Sequence, residues 1–93
     1  MSLKIVFMGT PEFSVPTLES LVNSDHKILA VYSQPPNKAN RGQKVVSSSI
    51  ELFAKKHSLN TRTPTKLDID EEYNFLKELK PDIVIVVAYG KII

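Results

Sequence analysis

Lys38, Arg41 and Lys44 crowd one polar stretch, residues 34–44, which also holds two adjacent prolines and two asparagines. Cationic side chains on such a stretch suit contacts to phosphates. A second stretch reads Gly9-Thr10-Pro11-Glu12-Phe13-Ser14. Its glycine permits a tight turn and close backbone approach to a ligand. A third, Ala88-Tyr89-Gly90-Lys91-Ile92-Ile93, follows the most apolar run in the chain. Glu12 is the one carboxylate in these stretches. It suits acid–base work, and equally the solvated first turn of a helix.

The spacing excludes several chemistries. A dinucleotide site needs G-x-G-x-x-G and an acid at the end of the second strand. Here the second and third glycines are missing, and the second apolar run ends Tyr32-Ser33-Gln34. A phosphate P-loop is absent as well. A plain strand-to-helix turn accounts for Gly9 without any ligand. His57 falls near a helix C-terminus, where a histidine serves the dipole. Two histidines with no nearby paired acid make no metal site, and the absence of cysteine removes disulfides and thiolate zinc sites.

The elements that position these stretches follow from periodicity. Residues 3–8 form a short apolar run ending at Gly9, a buried strand. Val15, Leu18, Leu21 and Val22 recur at helical spacing with Pro16 in the first turn, predicting a helix over 15–23. Residues 27–32 form the second strand, and residues 34–44 a loop longer than most connections of this kind. A capping box, Ser48 with Glu51, opens a second helix with Ile50, Phe53 and Ala54 on its buried stripe. A short third strand falls at 61–63. The third helix buries Tyr73, Leu76 and Leu79 and stops before Pro81. Residues 83–88 are the closing strand.

The order β-α-β-α-β-α-β specifies an α/β fold, an open parallel sheet of Rossmann-like type. In such a sheet the first strand is central and the fourth lies beside it. The fourth reads Ile83, Val84, Ile85, Val86, Val87, Ala88, with no polar alternation. That pattern belongs to a strand buried on both faces. Its far edge would be bare, an aggregation hazard. Residues 1–93 are therefore expected to be the N-terminal portion, the front half, of a larger and here incomplete domain. Self-association through the exposed edge is the alternative. His26 and Asp82 sit at the opposite strand ends from the three stretches, which discounts them as catalysts.

Composition is that of a packed chain: 93 residues, 42% apolar and 24% charged. The net charge is +2, but residues 34–66 carry seven cations against Glu51 alone, a balance of +6. A basic middle suits a polyanion, and equally a solvated surface. No segment approaches bilayer length, and the opening apolar run is short for a secretory leader. With no cysteine, a reducing cytoplasm is the expected location and no membrane is expected as partner.

The stretches "KIVFMGTPEFSVPTLESL", "VYSQPP…RGQK" and "KPDIVIVVAYGKII" together resemble the opening of the methionyl-tRNA formyltransferase family. The resemblance spans nearly the whole chain but only the front of that family's catalytic domain. It implies formyl transfer from 10-formyltetrahydrofolate, as co-substrate and without metal, to the amino group of initiator methionyl-tRNA. It implies that Tyr89, Gly90, Lys91, Ile92 and Ile93 line the folate pocket. It places Gly9, Thr10, Pro11, Glu12 and Phe13 on the acceptor side, and Lys38, Arg41 and Lys44 on the tRNA. The family's catalytic Asn, His and Asp find no match in these residues, so none here is assigned as catalytic and the 93-residue chain alone is expected to be inactive. The alternatives are a sugar-nucleotide formyltransferase fragment and a non-catalytic RNA- or folate-binding module.

Overall fold

A computed structural model describes residues 2–38, 45–64 and 69–89. β1 (Lys4–Gly9) buries Ile5, Val6, Phe7 and Met8 in succession. Val6 and Met8 meet Ala30, Tyr32 and Tyr89 on one face, while Phe7 meets Leu18, Val31, Ile50 and Ala54 on the other. That two-sided burial is why the strand shows no polar alternation. Each large apolar side chain fully buried in this way contributes about 1.5–3 kcal/mol.

A short 3-10 turn (Glu12–Ser14) leads into α1 (Val15–Val22), whose first turn carries Pro16. β2 (Lys27–Tyr32) runs parallel to β1, with Lys27 opposite Lys4 and Tyr32 opposite Met8. β3 (Asn37–Lys38) and β4 (Val45–Val46) then pair antiparallel, Asn37 opposite Val46. Within the expected loop, residues 37–38 are thus paired strand, bonded through the backbone to Val45 and Val46, and residues 39–44 lie outside the described residues. Two β-branched residues are too few to show a period, so the pairing left no pattern in the sequence.

In α2 (Ser49–Lys56) the Ser48 Oγ accepts from the Glu51 amide at 3.0 Å, as the capping box requires. Glu51 does not reach back to Ser48. Its side chain is buried, and its Oε2 pairs with Lys55 one turn on at 2.8 Å. β5 (Thr61–Arg62) is brief. α3 (Ile69–Leu79) turns Phe75, Leu76 and Leu79 onto the sheet, with Glu72 buried beside them. Tyr73, expected in this core, is 62% exposed. It lies one residue, about 100° of helix rotation, away from the face that Glu72, Phe75, Leu76 and Leu79 share.

β6 (Ile83–Val87) completes a parallel sheet in the order β5-β2-β1-β6. The first and fourth main strands are neighbours, as the doubly wound order demands. α1 and α2 cover one face of the sheet and α3 the other. β6 pairs with β1 alone among the described strands. Ile85 and Val87 pack toward the α1–α2 side, whereas Ile83, Val84 and Val86 are 44%, 41% and 51% exposed. The composition suits a strand covered on both faces, but the edge position leaves half of it open.

Candidate functional site at the carboxyl ends of the strands

β1, β2 and β6 end together, and polar side chains from each cross to the others. The Ser14 Oγ donates to the Val87 carbonyl at 2.9 Å, and the Ser14 amide donates to the Pro11 carbonyl at 3.0 Å. These two bonds pin the turn after β1 against the end of β6. Gly9 sits inside that contact. A β-carbon there would lie 2.8 Å from a Phe7 ring carbon, 3.0 Å from the Val87 oxygen and 3.2 Å from the Ser14 β-carbon. The glycine is needed for close backbone approach, independent of any ligand.

Thr10 faces the same junction. Its Oγ1 donates to the Tyr89 carbonyl at 2.8 Å and accepts from the Gln34 amide at 3.3 Å. The Gln34 Nε2 also donates to the Tyr89 carbonyl, at 3.0 Å. Next to Gln34, the buried Ser33 shares a hydrogen bond with the Ser48 hydroxyl at the start of α2. Ala88 takes a left-handed conformation, φ 52°, which turns the chain out of β6.

The Tyr89 ring is buried in the α3 side of the core. Its hydroxyl finds no hydrogen-bond partner among the described residues. Burial, and secondarily the charge of Glu72, push that hydroxyl's pKa up. Glu72 and Tyr32, both buried, form a polar cluster with the half-buried Arg62. The Tyr32 hydroxyl donates to Glu72 Oε1 at 2.6 Å, and the Arg62 guanidinium holds both oxygens of Glu72 at 3.0 and 3.2 Å. Burial first, then the bond to Glu72, raise the Tyr32 pKa far above the ordinary tyrosine value. The hydrogen bond to Glu72 likewise raises that of Arg62. Arg62 also stacks 4.0 Å over the Phe75 ring.

The basic middle is accordingly smaller than its charge count. Arg62 is committed to Glu72 and Lys55 to Glu51. Lys38 lies on β3, while Arg41 and Lys44 fall outside the described residues, as do Gly90, Lys91, Ile92 and Ile93. Gly9, Thr10, Pro11, Glu12 and Phe13 gather at the end of β1, with Glu12 exposed and Phe13 69% exposed. His26 and Asp82 act at the amino ends: the Leu3 amide donates to His26 Nδ1 at 3.0 Å, and the Lys4 amide to Asp82 Oδ2 at 2.8 Å. His57 stacks on Phe53, ring centres 4.3 Å apart. Among the described residues no cluster of His, Asp and Glu could hold a metal ion, and no helix is long and apolar enough to cross a membrane.

Sequence reasoning missed Glu72, and it named Ser14 and Gln34 only as members of their stretches without a role. Ser14 and Gln34 each stand a few residues past a buried strand, and that position was their only signal. The junction is held by hydrogen bonds between its own backbone and side-chain groups. Among the described residues it holds no nucleophile–base pair.

Residues 3–93 match the family described as formyl transferase. The chain is 53% identical over 94 residues to the methionyl-tRNA formyltransferase of Pelagibacter ubique, covering 100% of this chain and 30% of that protein. It is 45% identical over 91 residues to the enzyme of that name from Novosphingobium aromaticivorans, covering 98% and 30%. The chain thus spans about 30% of the length of these relatives. Among solved structures, phosphoribosylglycinamide formyltransferase from Anaplasma phagocytophilum matches with a TM-score of 0.68 at 19% identity, over 100% of this chain and 42% of that one. At that identity the likeness is one of fold.

Proposed function

The chain belongs to the formyl transferase family, and from that premise we propose that it carries the front of the catalytic domain of a cytoplasmic methionyl-tRNA formyltransferase. The observation that carries this reading is the 53% identity to a methionyl-tRNA formyltransferase over the whole chain. Convergence of Thr10, Gln34 and Tyr89 on one junction supports it.

In the proposed reaction the methionyl amine attacks the formyl carbon of 10-formyltetrahydrofolate. A carbon–nitrogen bond forms to the amine while the bond to folate N10 breaks. The amine loses a proton and N10 gains one. Negative charge grows on the formyl oxygen and calls for oriented donors and an acid–base group. Those groups are proposed to lie in the larger share of the enzyme that this chain does not span. The present residues would bind and orient. Tyr89 and residues 90–93 face the folate through backbone groups and apolar side chains. The turn Gly9-Thr10-Pro11-Glu12-Phe13 lies on the acceptor side. Lys38, Arg41 and Lys44 meet tRNA phosphates.

The test is formyl transfer by the purified full-length protein. It should formylate methionyl-tRNA from 10-formyltetrahydrofolate, and the 93-residue chain alone should not. Arg41→Ala should raise KM for the tRNA about tenfold, as one lost charge-assisted contact does, and leave KM for the folate unchanged. A full-length protein that formylates a sugar nucleotide instead, or binds RNA or folate without transfer, overturns the reading.

A further inference from the structure

Three strand ends are tied to one oxygen. The Tyr89 carbonyl accepts from Thr10, just past β1, and from Gln34, just past β2. Thr10 in turn accepts from the Gln34 amide, so the three groups close into one knot. The sheet does not need these bonds. Its pairing of β1 with β6 ends one step earlier, at Gly9 and Val87. The knot secures the carbonyl of Tyr89, the residue after Ala88, which is a non-glycine residue in a left-handed conformation. Such a residue costs conformational energy and persists only where its surroundings hold it.

We propose that Thr10 and Gln34 are positioning residues for the folate co-substrate. They fix the backbone of Tyr89 where the chain leaves β6, the described residue of the stretch proposed to meet the folate. The inference rests on the folate reading of residues 89–93 given above. Thr10 itself needs no contact with the folate. Its hydroxyl is required because it donates to Tyr89 and accepts from Gln34 at once. Serine retains that capacity and valine, with nearly the same shape, loses it. The assignment puts the Thr10 hydroxyl to work for the donor, although the residue lies in the acceptor-side turn.

The experiment compares Thr10→Val, Thr10→Ser and Gln34→Met in the full-length protein. KM is measured for 10-formyltetrahydrofolate and for methionyl-tRNA, and amide exchange around Tyr89 is followed without ligand. Thr10→Val should raise KM for the folate about five- to tenfold, the worth of a hydrogen bond or two. KM for the tRNA should rise less than KM for the folate. Thr10→Ser should restore the folate value, and Thr10→Val should speed exchange at Tyr89. If Thr10→Val does not fold, Gln34→Met decides, since it removes only the Nε2 bond. Unchanged folate KM in both Thr10→Val and Gln34→Met overturns the proposal. So does a serine variant as weak as the valine one, or a rise in KM for the tRNA alone. A wild-type protein that does not use the folate at all refutes the underlying reading instead, and the exchange measurement still reports whether the knot anchors Tyr89.

Discussion

Glu72 serves Tyr32 and Arg62 with one carboxylate, and its burial depends on both being in place. Tyr32 and Arg62 supply the bonds, and Phe75 shields the guanidinium. Replacing Glu72 with alanine leaves Arg62 only a longer ion pair to Glu71, at 3.7 Å, and leaves the Tyr32 hydroxyl without its acceptor. Glu72→Ala should therefore cost about 3 kcal/mol, read as a lower denaturant midpoint with an unchanged slope. Arg62→Met should cost at least as much, because it leaves the buried Glu72 carboxylate without its cation. Nothing in the sequence announced this cluster. Hydrophobic periodicity scores an acid as a surface residue, and the partners that justify burying Glu72, Arg62 and Tyr32, lie on other elements 10 and 40 residues away. The same blindness put Tyr73 in the core, where the true face passes through the acid beside it. Thr10 and Tyr89 were legible as neighbours only because both follow a buried strand.

β1, β2 and β6 were readable because two-sided burial writes itself as an unbroken apolar run. Strand order followed from the alternation with helices. What escaped the pattern was short: the 3-10 turn at Glu12–Ser14 and the pairing of β3 with β4 are too brief to carry a period. β6 has a further property. Its outer backbone groups meet no described strand, and Val84 and Val86 stand exposed along it. The 93-residue chain by itself should therefore sediment as concentration-dependent oligomers at micromolar levels. Val86→Lys should shift it toward monomer, since an edge lysine opposes strand addition. Sedimentation velocity decides. A wild-type chain monomeric at every concentration would show that this edge is not adhesive.

Taken together, the two buried tyrosines make the folded chain sensitive to alkali. Both Tyr32 and Tyr89 hold their protons above the ordinary tyrosine pKa. The folded protein thus keeps protons that the unfolded chain gives up near pH ~10. Stability from this source is whole below that pH and falls as pH rises toward the folded values. Melting temperature should be flat up to about pH 10 and drop beyond it, with tyrosinate absorbance rising as the protein unfolds. Tyr32→Phe should soften that drop. The sheet order has a different bearing, on how the molecule is made. β1 is synthesised first, yet one of its two neighbours, β6, begins only at Ile83. At roughly 5–20 residues per second on a ribosome, the nascent β1 waits on the order of 4–15 s with one side unpaired. For that interval a backbone edge flanked by Ile5, Val6, Phe7 and Met8 is open to whatever binds emerging chains, which makes this stretch the natural foothold for a chaperone.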